Sequence, residues 1–272
     1  MKKEKSTKPP ISWVSASFII GIHLIALLGF FTFNWSALTL CIFLYWITGG
    51  LGITLGFHRL LTHRSFQVPK WLEYFLALCG TLALQSGPIT WVATHRHHHK
   101  TSDTYLDPHS PTKGFWWSHM EWTLRDVWFM PKLEYSTLIS DLSNDKFYQF
   151  LNKNVLLPSF ILSTLLYLLG GWSFVIWGIF VRLVLTWHCT WLVNSAAHIW
   201  GYRTYDTDDN SKNNWWVALL TFGEGWHNNH HKFQSSARHG IKWWEFDLTY
   251  LTISFLGLFK IAKSIKIIKP NY

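Results

Sequence analysis

Residues 9–58 read PPISWVSASFIIGIHLIALLGFFTFNWSALTLCIFLYWITGGLGITLGFH and contain no Asp, Glu, Lys or Arg. A helix that spans a bilayer needs about 20 predominantly apolar residues. This stretch is long enough for two such helices, which we place at 13–33 and 35–56, with a tight connection near Asn34. The run therefore predicts a helical hairpin within a membrane.

A second charge-poor region extends the same pattern. Between residues 154 and 202 the only charged side chain is Arg182. It predicts two more spans, 156–170 and 173–193, joined at Gly170-Gly171-Trp172. The sequence thus predicts an all-α integral membrane protein in which four transmembrane helices form a stalk.

The basic residues lie outside these spans, at the N-terminus, in 58–153 and after 202, and the formal net charge is +9. Positive charge favours the cytoplasmic side, so we expect both termini and a helical cap (57–153 and 194–272) to be cytoplasmic. The start Met-Lys-Lys-Glu-Lys lacks a small-residue cleavage signal and predicts an uncleaved N-terminus. Lys and Arg are dispersed rather than gathered into a stripe, which favours contact with anionic lipid over nucleic acid.

Two further apolar segments are interpreted differently. If 71–91 crossed the membrane, the histidines before and after it would lie on opposite sides, so we expect a buried or in-plane amphipathic segment. The run 248–261 is about 14 residues long and leads into a tail containing Lys260, Lys263, Lys266 and Lys269, which predicts an interfacial helix. We treat 1–272 as a single domain.

The chain has 15 histidines, and most of them are clustered. His58 and His63 form H-x-x-x-x-H, which is the first box. Two H-x-x-H-H boxes follow: the second box contains His95, His98 and His99, and the third contains His227, His230 and His231. His198 lies one helical turn after Asn194. On an α-helix, positions i, i+3 and i+4 share a face, so each H-x-x-H-H box groups three imidazoles. His58 and His63 are about 140° apart on an α-helix, and we expect them to face different metals.

Nine clustered imidazoles are too many for one ion, because a zinc site takes about four ligands. Two metal ions are the simpler interpretation. Imidazole suits zinc, copper, iron and nickel alike, so the ligand type alone leaves the metal open, and oxygen chemistry would favour iron.

Other candidates are less specific. His23 lies within a span and is expected to be packed or to hydrogen-bond between helices. His97 should point away from its neighbours, whereas His109, His119, His188 and His239 are second-layer or structural candidates. Arg182 is an ionisable group within a span, which is a functional candidate, although a structural role is equally open.

The order and flanks of these motifs carry a family resemblance. The chain resembles the membrane fatty acid Δ9-desaturases in several motifs. These are Gly52-Ile-Thr-Leu-Gly-Phe-His58, the second box, Asn194-Ser-Ala-Ala-His198, Gly223-Glu-Gly-Trp-His227, Asp107-Pro-His and Gly114-Phe-Trp-Trp-Ser-His. The resemblance extends from about residue 35 to 263.

The resemblance implies a function and a ligand set. It implies an enzyme that uses O2 to introduce a cis double bond at Δ9 of a saturated C16–C18 acyl chain. It implies two iron ions held by the nine histidines, with Asn194 acting through a water; these ligands are His58, His63, His95, His98, His99, His198, His227, His230 and His231. It also implies the predicted arrangement of a four-helix stalk under a cytosolic cap.

Two departures from other desaturases bear on the acyl substrate and on the electron donor. Animal acyl-CoA desaturases carry an Arg-Asp pair before the second box, where this chain has Ala93 and Thr94. The chain also lacks the His-Pro-Gly-Gly of a fused cytochrome domain. It is therefore closest to the cyanobacterial and plastid-type branch, which acts on acyl groups esterified in glycerolipids in a plasma or thylakoid membrane. A separate electron donor is needed, for which we expect a ferredoxin rather than cytochrome b5.

We also name candidates for the substrate tunnel and for carboxylates that would hydrogen-bond the metal ligands. Trp46 and Gly50 are candidates for the tunnel floor, and Trp191 for its wall. Asp107, Glu121 and Glu224 are candidate carboxylates behind the ligands.

Three alternatives stay open at this point. An acyl-CoA Δ9-desaturase and a di-iron lipid hydroxylase share the metal chemistry. A membrane metal transporter would need ionisable residues along its spans, and these spans contain almost none.

Overall fold

The computed structural model describes residues 8–127 and 132–268. The start Met-Lys-Lys-Glu-Lys, on which the uncleaved N-terminus was predicted, and Lys269 of the basic tail lie outside the described residues. Across those two ranges the fold is helical, and the strand-type pairs are isolated bridges such as Gln67 with Lys263.

Helices account for most of the described chain. In chain order the α-helices are α1 (Trp13–Ala26), α2 (Trp35–Tyr45), α3 (Lys70–Thr81), α4 (Pro88–Thr101), α5 (Phe115–His119), α6 (Lys132–Leu138), α7 (Lys146–Lys153), α8 (Leu157–Val175), α9 (Arg182–Asn194), α10 (Ala196–Ile199), α11 (Trp215–Leu220), α12 (His227–Lys232) and α13 (Leu248–Leu258). Short 3-10 helices cover Leu27–Phe30, Pro111–Lys113 and Glu121–Leu124, and π-helices cover Trp46–Thr62 and Ile176–Val181.

Within residues 8–127 and 132–268, three continuous helical stretches are long and apolar enough to cross a membrane: Trp13–Phe30, Trp35–Thr62 and Leu157–Ile199. The third does not run straight, because Gly170 and Gly171 leave helical geometry and Gly171 has a φ of +62°. A positive φ is readily adopted by glycine. The break lies where the sequence predicted a connection between two spans.

The two predicted connections meet in space. Asn34 begins α2, where its side-chain oxygen accepts a hydrogen bond from the Ala37 amide at 2.8 Å. Its side-chain nitrogen donates to Ser173 Oγ at 2.6 Å, and Ser173 Oγ donates to the Thr32 carbonyl. Both connections therefore lie at the same end of the stalk.

The outside of the stalk is apolar. Near that end Phe30, Phe31, Leu168 and Leu169 have 83%, 87%, 75% and 76% of their surface exposed. Large apolar patches of this kind are rare on soluble proteins and mark contact surfaces. They suit a helix surrounded by lipid.

The segment after His63 folds back instead of forming another long apolar helix. α3 packs along the π-helix so closely that a Cβ on Gly52 would lie 2.4 Å from the Gly80 nitrogen. A turn at residues 82–87 then leads into α4. This reversal brings His58 and His95 together, with ring centroids 4.5 Å apart. Their proximity agrees with the expectation that 71–91 does not cross the membrane.

The C-terminal apolar segment forms α13, as the sequence predicted. It packs on the rest of the fold through Ile253, which is fully buried, and through Thr249, whose hydroxyl lies 2.7 Å from that of Thr54. Thr54 belongs to the π-helix, so α13 supports the helix that carries the first histidine pair.

Candidate metal centre

The nine histidines singled out from the sequence come together and divide into two groups. In each group the ligand atoms lie within 4.8 Å of one another. The first group has five members, His58, His63, His95, His99 and His230, and the second has four, His98, His198, His227 and His231. Two separate clusters of imidazole are the arrangement that two metal ions need.

His58 and His63 correct one expectation. We expected them to face different metals, because residues five apart diverge on an α-helix. This segment is instead a π-helix, in which hydrogen bonds join i and i+5, and the His63 amide donates to the His58 carbonyl at 3.1 Å. The two rings consequently lie 4.8 Å apart within the same group. A π-turn, often found at functional sites, thus brings the two histidines of H-x-x-x-x-H into one group that could hold an ion.

Each H-x-x-H-H box divides between the two groups. In α4 the i and i+4 histidines, His95 and His99, belong to the five-membered group, and His98 belongs to the other. In α12 the assignment is reversed, because His230 joins the five-membered group. Both boxes thus contribute to both candidate sites, so neither site can be built from one box alone.

The nitrogens within a group face one another in a way that suits a bound cation. His99 Nε2 lies 3.0 Å from Nε2 of both His95 and His230, and His230 Nε2 lies 3.1 Å from His58 Nε2. Each neutral imidazole has one N–H and one lone pair, so a cluster of Nε2 atoms cannot be satisfied by hydrogen bonds alone. His63 Nε2 and His231 Nε2, one in each group, are buried without a hydrogen-bond partner in the described part of the chain. The donor set therefore fits bound metal ions.

Carboxylates hold the outer nitrogens of several of these rings. Asp107 Oδ2 lies 3.0 Å from His98 Nδ1, and Glu224 Oε2 lies 2.7 Å from His58 Nδ1. Both residues had been named from the sequence. A carboxylate behind a ligating histidine fixes its tautomer and ring orientation.

The sequence reasoning missed two such carboxylates and misplaced one. Asp209 lies 2.5 Å from His231 Nδ1, and Asp103 lies 3.2 Å from His198 Nδ1. Asp103 follows the second box by four residues and could have been weighed for that reason. Glu121 lies elsewhere, in ion pairs with Lys8 and Arg125.

Electrostatics keep most of the cluster in the metal-binding protonation state. Burial lowers the pKa of His95, His99, His227 and His230 well below the ordinary value, so these imidazoles are neutral at pH 7. Burial alone would raise the pKa of Asp209, but the hydrogen bond and charge of His231 together with the hydrogen bonds from Ser211 lower it below its ordinary value. The cluster thus offers neutral nitrogens backed by charged carboxylates.

An apolar cavity of about 410 Å³ opens beside the histidines. His95, Asn194 and Trp191 are among its lining residues, and its walls are mostly apolar. Trp191, the candidate for the tunnel wall, lines this cavity. Asn194, the last residue of α9, lines the cavity next to the metal-binding histidines.

Three residues of the cavity lining are joined by polar contacts. Gln85 Nε2 donates to Thr190 Oγ1 at 2.9 Å, and Trp91 Nε1 lies 3.5 Å from Gln85 Oε1. All three residues line the cavity. Because Trp91 precedes His95 by one turn of α4, the contact lies close to the candidate metal centre.

A second, much smaller cavity also touches Thr190 and is lined by Gly49 and Phe222. The floor candidates Trp46 and Gly50 line neither cavity, and a Cβ on Gly50 would lie 3.0 Å from the Trp46 ring and 3.5 Å from the Phe222 ring. Their role at a tunnel floor stays a prediction.

The six remaining histidines lie in three places. His109 and His239 lie behind the ligands, against Asp107 and Glu224. His23 hydrogen-bonds His188 at 3.1 Å, and His188 in turn bonds His119, so His23 does join two helices as expected. His97 points away from both groups, toward Glu134 and the Leu106 carbonyl.

Comparison with known proteins gives a consistent result. Residues 6–253 match the family described as Fatty acid desaturase. The chain is 57% identical to the sn-1 stearoyl-lipid 9-desaturase of Anabaena variabilis, covering 96% of both chains. It is 55% identical to the enzyme of the same description from Synechocystis sp., covering 96% of this chain and 83% of that one. It is 50% identical to the sn-2 palmitoyl-lipid 9-desaturase of Nostoc sp., covering 96% and 93%. With its histidine clusters and these matches along almost its whole length, the chain belongs to the fatty acid desaturase family.

Proposed function

We propose that this chain introduces a cis double bond at Δ9 of a saturated C16–C18 acyl chain esterified in a membrane glycerolipid. The chain is a membrane desaturase, and its relatives act on stearoyl-lipid and palmitoyl-lipid at position 9 according to their names. The observation that carries the proposal is the division of nine histidines into groups of five and four beside an apolar cavity. Such a cavity suits a hydrocarbon chain.

The metals that fit the two groups are two iron ions, with O2 as co-substrate. The five-membered and four-membered groups would each hold one ion, and Asn194 would complete the second site through a water. When bound, an iron pair supplies the oxidising power that removal of hydrogen from an unactivated methylene requires, which no side chain provides. In the overall reaction O2 takes up the two hydrogens that the acyl chain loses, together with two electrons from the separate donor and two protons, and yields two waters.

The residues of the chain hold the substrate and exclude water. Trp187 and Trp191 contribute apolar wall, and the Gln85–Thr190 contact limits the paths that an acyl chain can take past His95. Holding one C–C bond next to the reactive centre fixes the orientation of the reacting atoms, which lowers the activation barrier.

The proposed topology has four spans below a cytoplasmic cap, formed by 57–153 and 194–272, in a plasma or thylakoid membrane. The break at Gly170 and Gly171 divides the third long helix into two, and both connections lie at one end of the stalk. With the metal cluster at the opposite end of these helices, both termini would be on the cytoplasmic side. We treat 1–272 as one domain.

Electrons would come from a separate donor. The net charge of +9 suits an acidic ferredoxin better than a fused cytochrome b5, because complementary charge accelerates docking.

The test is expression in a bacterium without such desaturases, followed by lipid-class and double-bond analysis. We expect Δ9 double bonds in glycerolipid acyl chains. Conversion of CoA thioesters alone would favour an acyl-CoA desaturase, and a gain of one oxygen in the product would favour a hydroxylase. Metal transport into vesicles without an acyl product would favour a transporter.

A further inference from the structure

Arg182 is a fully buried cation in the apolar helix that also carries Trp191 and Asn194. In the described part of the chain no Asp or Glu forms an ion pair with it, and its Nη2 has no hydrogen-bond partner. An ionised side chain at membrane depth costs free energy unless something compensates its charge. The compensation must come from its other contacts.

The shorter of those contacts are with carbonyl groups, and a longer one of 3.4 Å joins Arg182 Nη1 to Thr48 Oγ1. Arg182 Nη1 donates to the Leu82 carbonyl at 2.7 Å, and Arg182 Nε donates to the Gly178 carbonyl at 3.0 Å. Leu82 is the residue that directly follows α3. The carbonyl end of a helix carries about half a negative charge, so the end of α3 acts as the counter-charge of this arginine.

Two more residues of α9 bind the same turn. Trp187 Nε1 donates to the Ala83 carbonyl at 2.8 Å. Thr190 accepts the hydrogen bond from Gln85. Residues 82, 83 and 85 are thus each fastened to one side chain of α9.

The fastened turn has an uncommon backbone conformation. Leu84 and Ser86 have φ values of +50° and +81°, a region that non-glycine residues adopt only when their surroundings hold them there. Both side chains, and Gln85 between them, line the large cavity. The conformation that Arg182 helps to hold therefore shapes the cavity wall.

We propose that Arg182 is a positioning residue that sets which carbons of the acyl chain lie beside the metal-binding histidines. It fixes the turn at 82–87 against α9, and with it the Gln85–Thr190 contact. The turn leads directly into α4, which carries His95, and α9 ends at Asn194. The bond between Arg182 and Leu82 therefore fixes the distance between the Gln85–Thr190 contact and the candidate metal centre. The inference rests on the proposed function.

The experiment compares double-bond positions in the lipids of a host that expresses the parent chain or a variant. Arg182→Met keeps an unbranched chain but removes the charge and the hydrogen bonds. We expect the share of product with a displaced double bond to rise about fivefold or more, the change that corresponds to one lost hydrogen bond. Arg182→Lys, which retains the charge, should restore part of the selectivity. Trp187→Phe removes the bond to Ala83 together with part of the indole that lines the cavity, and should act in the same direction.

Leu183→Ala is the matched control. Leu183 is fully buried next to Arg182 and packs in the stalk, without a bond to the turn. It should lower thermal stability while leaving the double-bond position unchanged. Arg182→Met and Trp187→Phe products with the parent's positional profile would overturn the inference. A parent chain that forms no double bond in this host would instead contradict the proposed function itself.

Discussion

His98 and His99 are neighbours in α4, yet their imidazoles belong to different histidine groups. Their ring centroids are 5.5 Å apart, and each ring meets histidines from other segments of the chain. His99 lies against His63 and His230 of the five-membered group and also 4.7 Å from the His231 ring, whereas His98 lies against His198 and His231 of the four-membered group. Consecutive residues of one box would thus serve separate ions.

This separation predicts the effect of single histidine substitutions. His98→Ala should weaken the four-membered site and His99→Ala the five-membered one, so that iron content falls to about one ion per chain in each variant. Replacing both should remove nearly all iron. His97→Ala is the control, because His97 lies between them in sequence but belongs to neither group, and it should retain the parent's iron. Elemental analysis of the purified variants checks this, and equal iron in all of them would contradict the grouping.

Asp209 predicts a role for a carboxylate that is not itself a ligand. Asp209→Asn keeps the size of the side chain but weakens its bond to His231, so metal affinity should fall by about 10–100-fold. Competition with a chelator measures that affinity. Asp206→Asn, at a fully exposed position nearby, should leave it unchanged. A similar affinity for both variants would exclude the assigned role of Asp209.

Gly52 predicts a packing requirement behind the metal centre. A Cβ at this position would meet the backbone of Cys79 and Gly80, which cannot move without shifting α3. Gly52→Ala should destabilise the protein by about 1–3 kcal/mol, measured as a loss of free energy of unfolding. Gly21→Ala is the control, since no atom lies within 4 Å of its added Cβ. Equal free energies of unfolding for the Gly52→Ala and Gly21→Ala variants would contradict the close packing of α3 against the π-helix.

The sequence predicted the long apolar helices and the clustering of nine histidines because both depend on local patterns. Lack of charge over some 20 residues marks a span, and fixed spacing marks a histidine box. The partition of the histidines could not be predicted in the same way. It depends on a π-helix at 46–62, which no spacing rule for an α-helix anticipates.

The outer carboxylates show the same limit in another form. Asp107 and Glu224 lie next to motifs in sequence and were found. Asp209 lies 22 residues before His231 and meets it only through the folding of the segment between α10 and α12. Glu121 lies near a motif, yet Lys8, more than 100 residues away, forms an ion pair with it. Contacts of this range follow from tertiary packing and not from local sequence.

The buried histidines also predict a dependence on pH in the metal-free protein. Burial lowers the pKa of His231 to about 4 and that of His109 to about 3, below the ordinary value of 6.5. The unfolded chain therefore binds these protons more readily, so stability is retained above about pH 6.5 and is lost as the pH falls toward 4. Asp107 raises the pKa of His98 and opposes this trend, but the histidines with lowered pKa are more numerous. The thermal midpoint should be lower at pH 5 than at pH 8; an equal or higher midpoint at pH 5 would contradict the prediction.

Metal content of the purified parent chain tests the central claim most directly. Nine histidines in groups of five and four should hold two ions, and the proposed oxygen chemistry requires iron at both. Elemental analysis of protein purified in mild detergent should give two iron atoms per chain. A single ion per chain, or zinc filling both sites in active protein, would contradict the account.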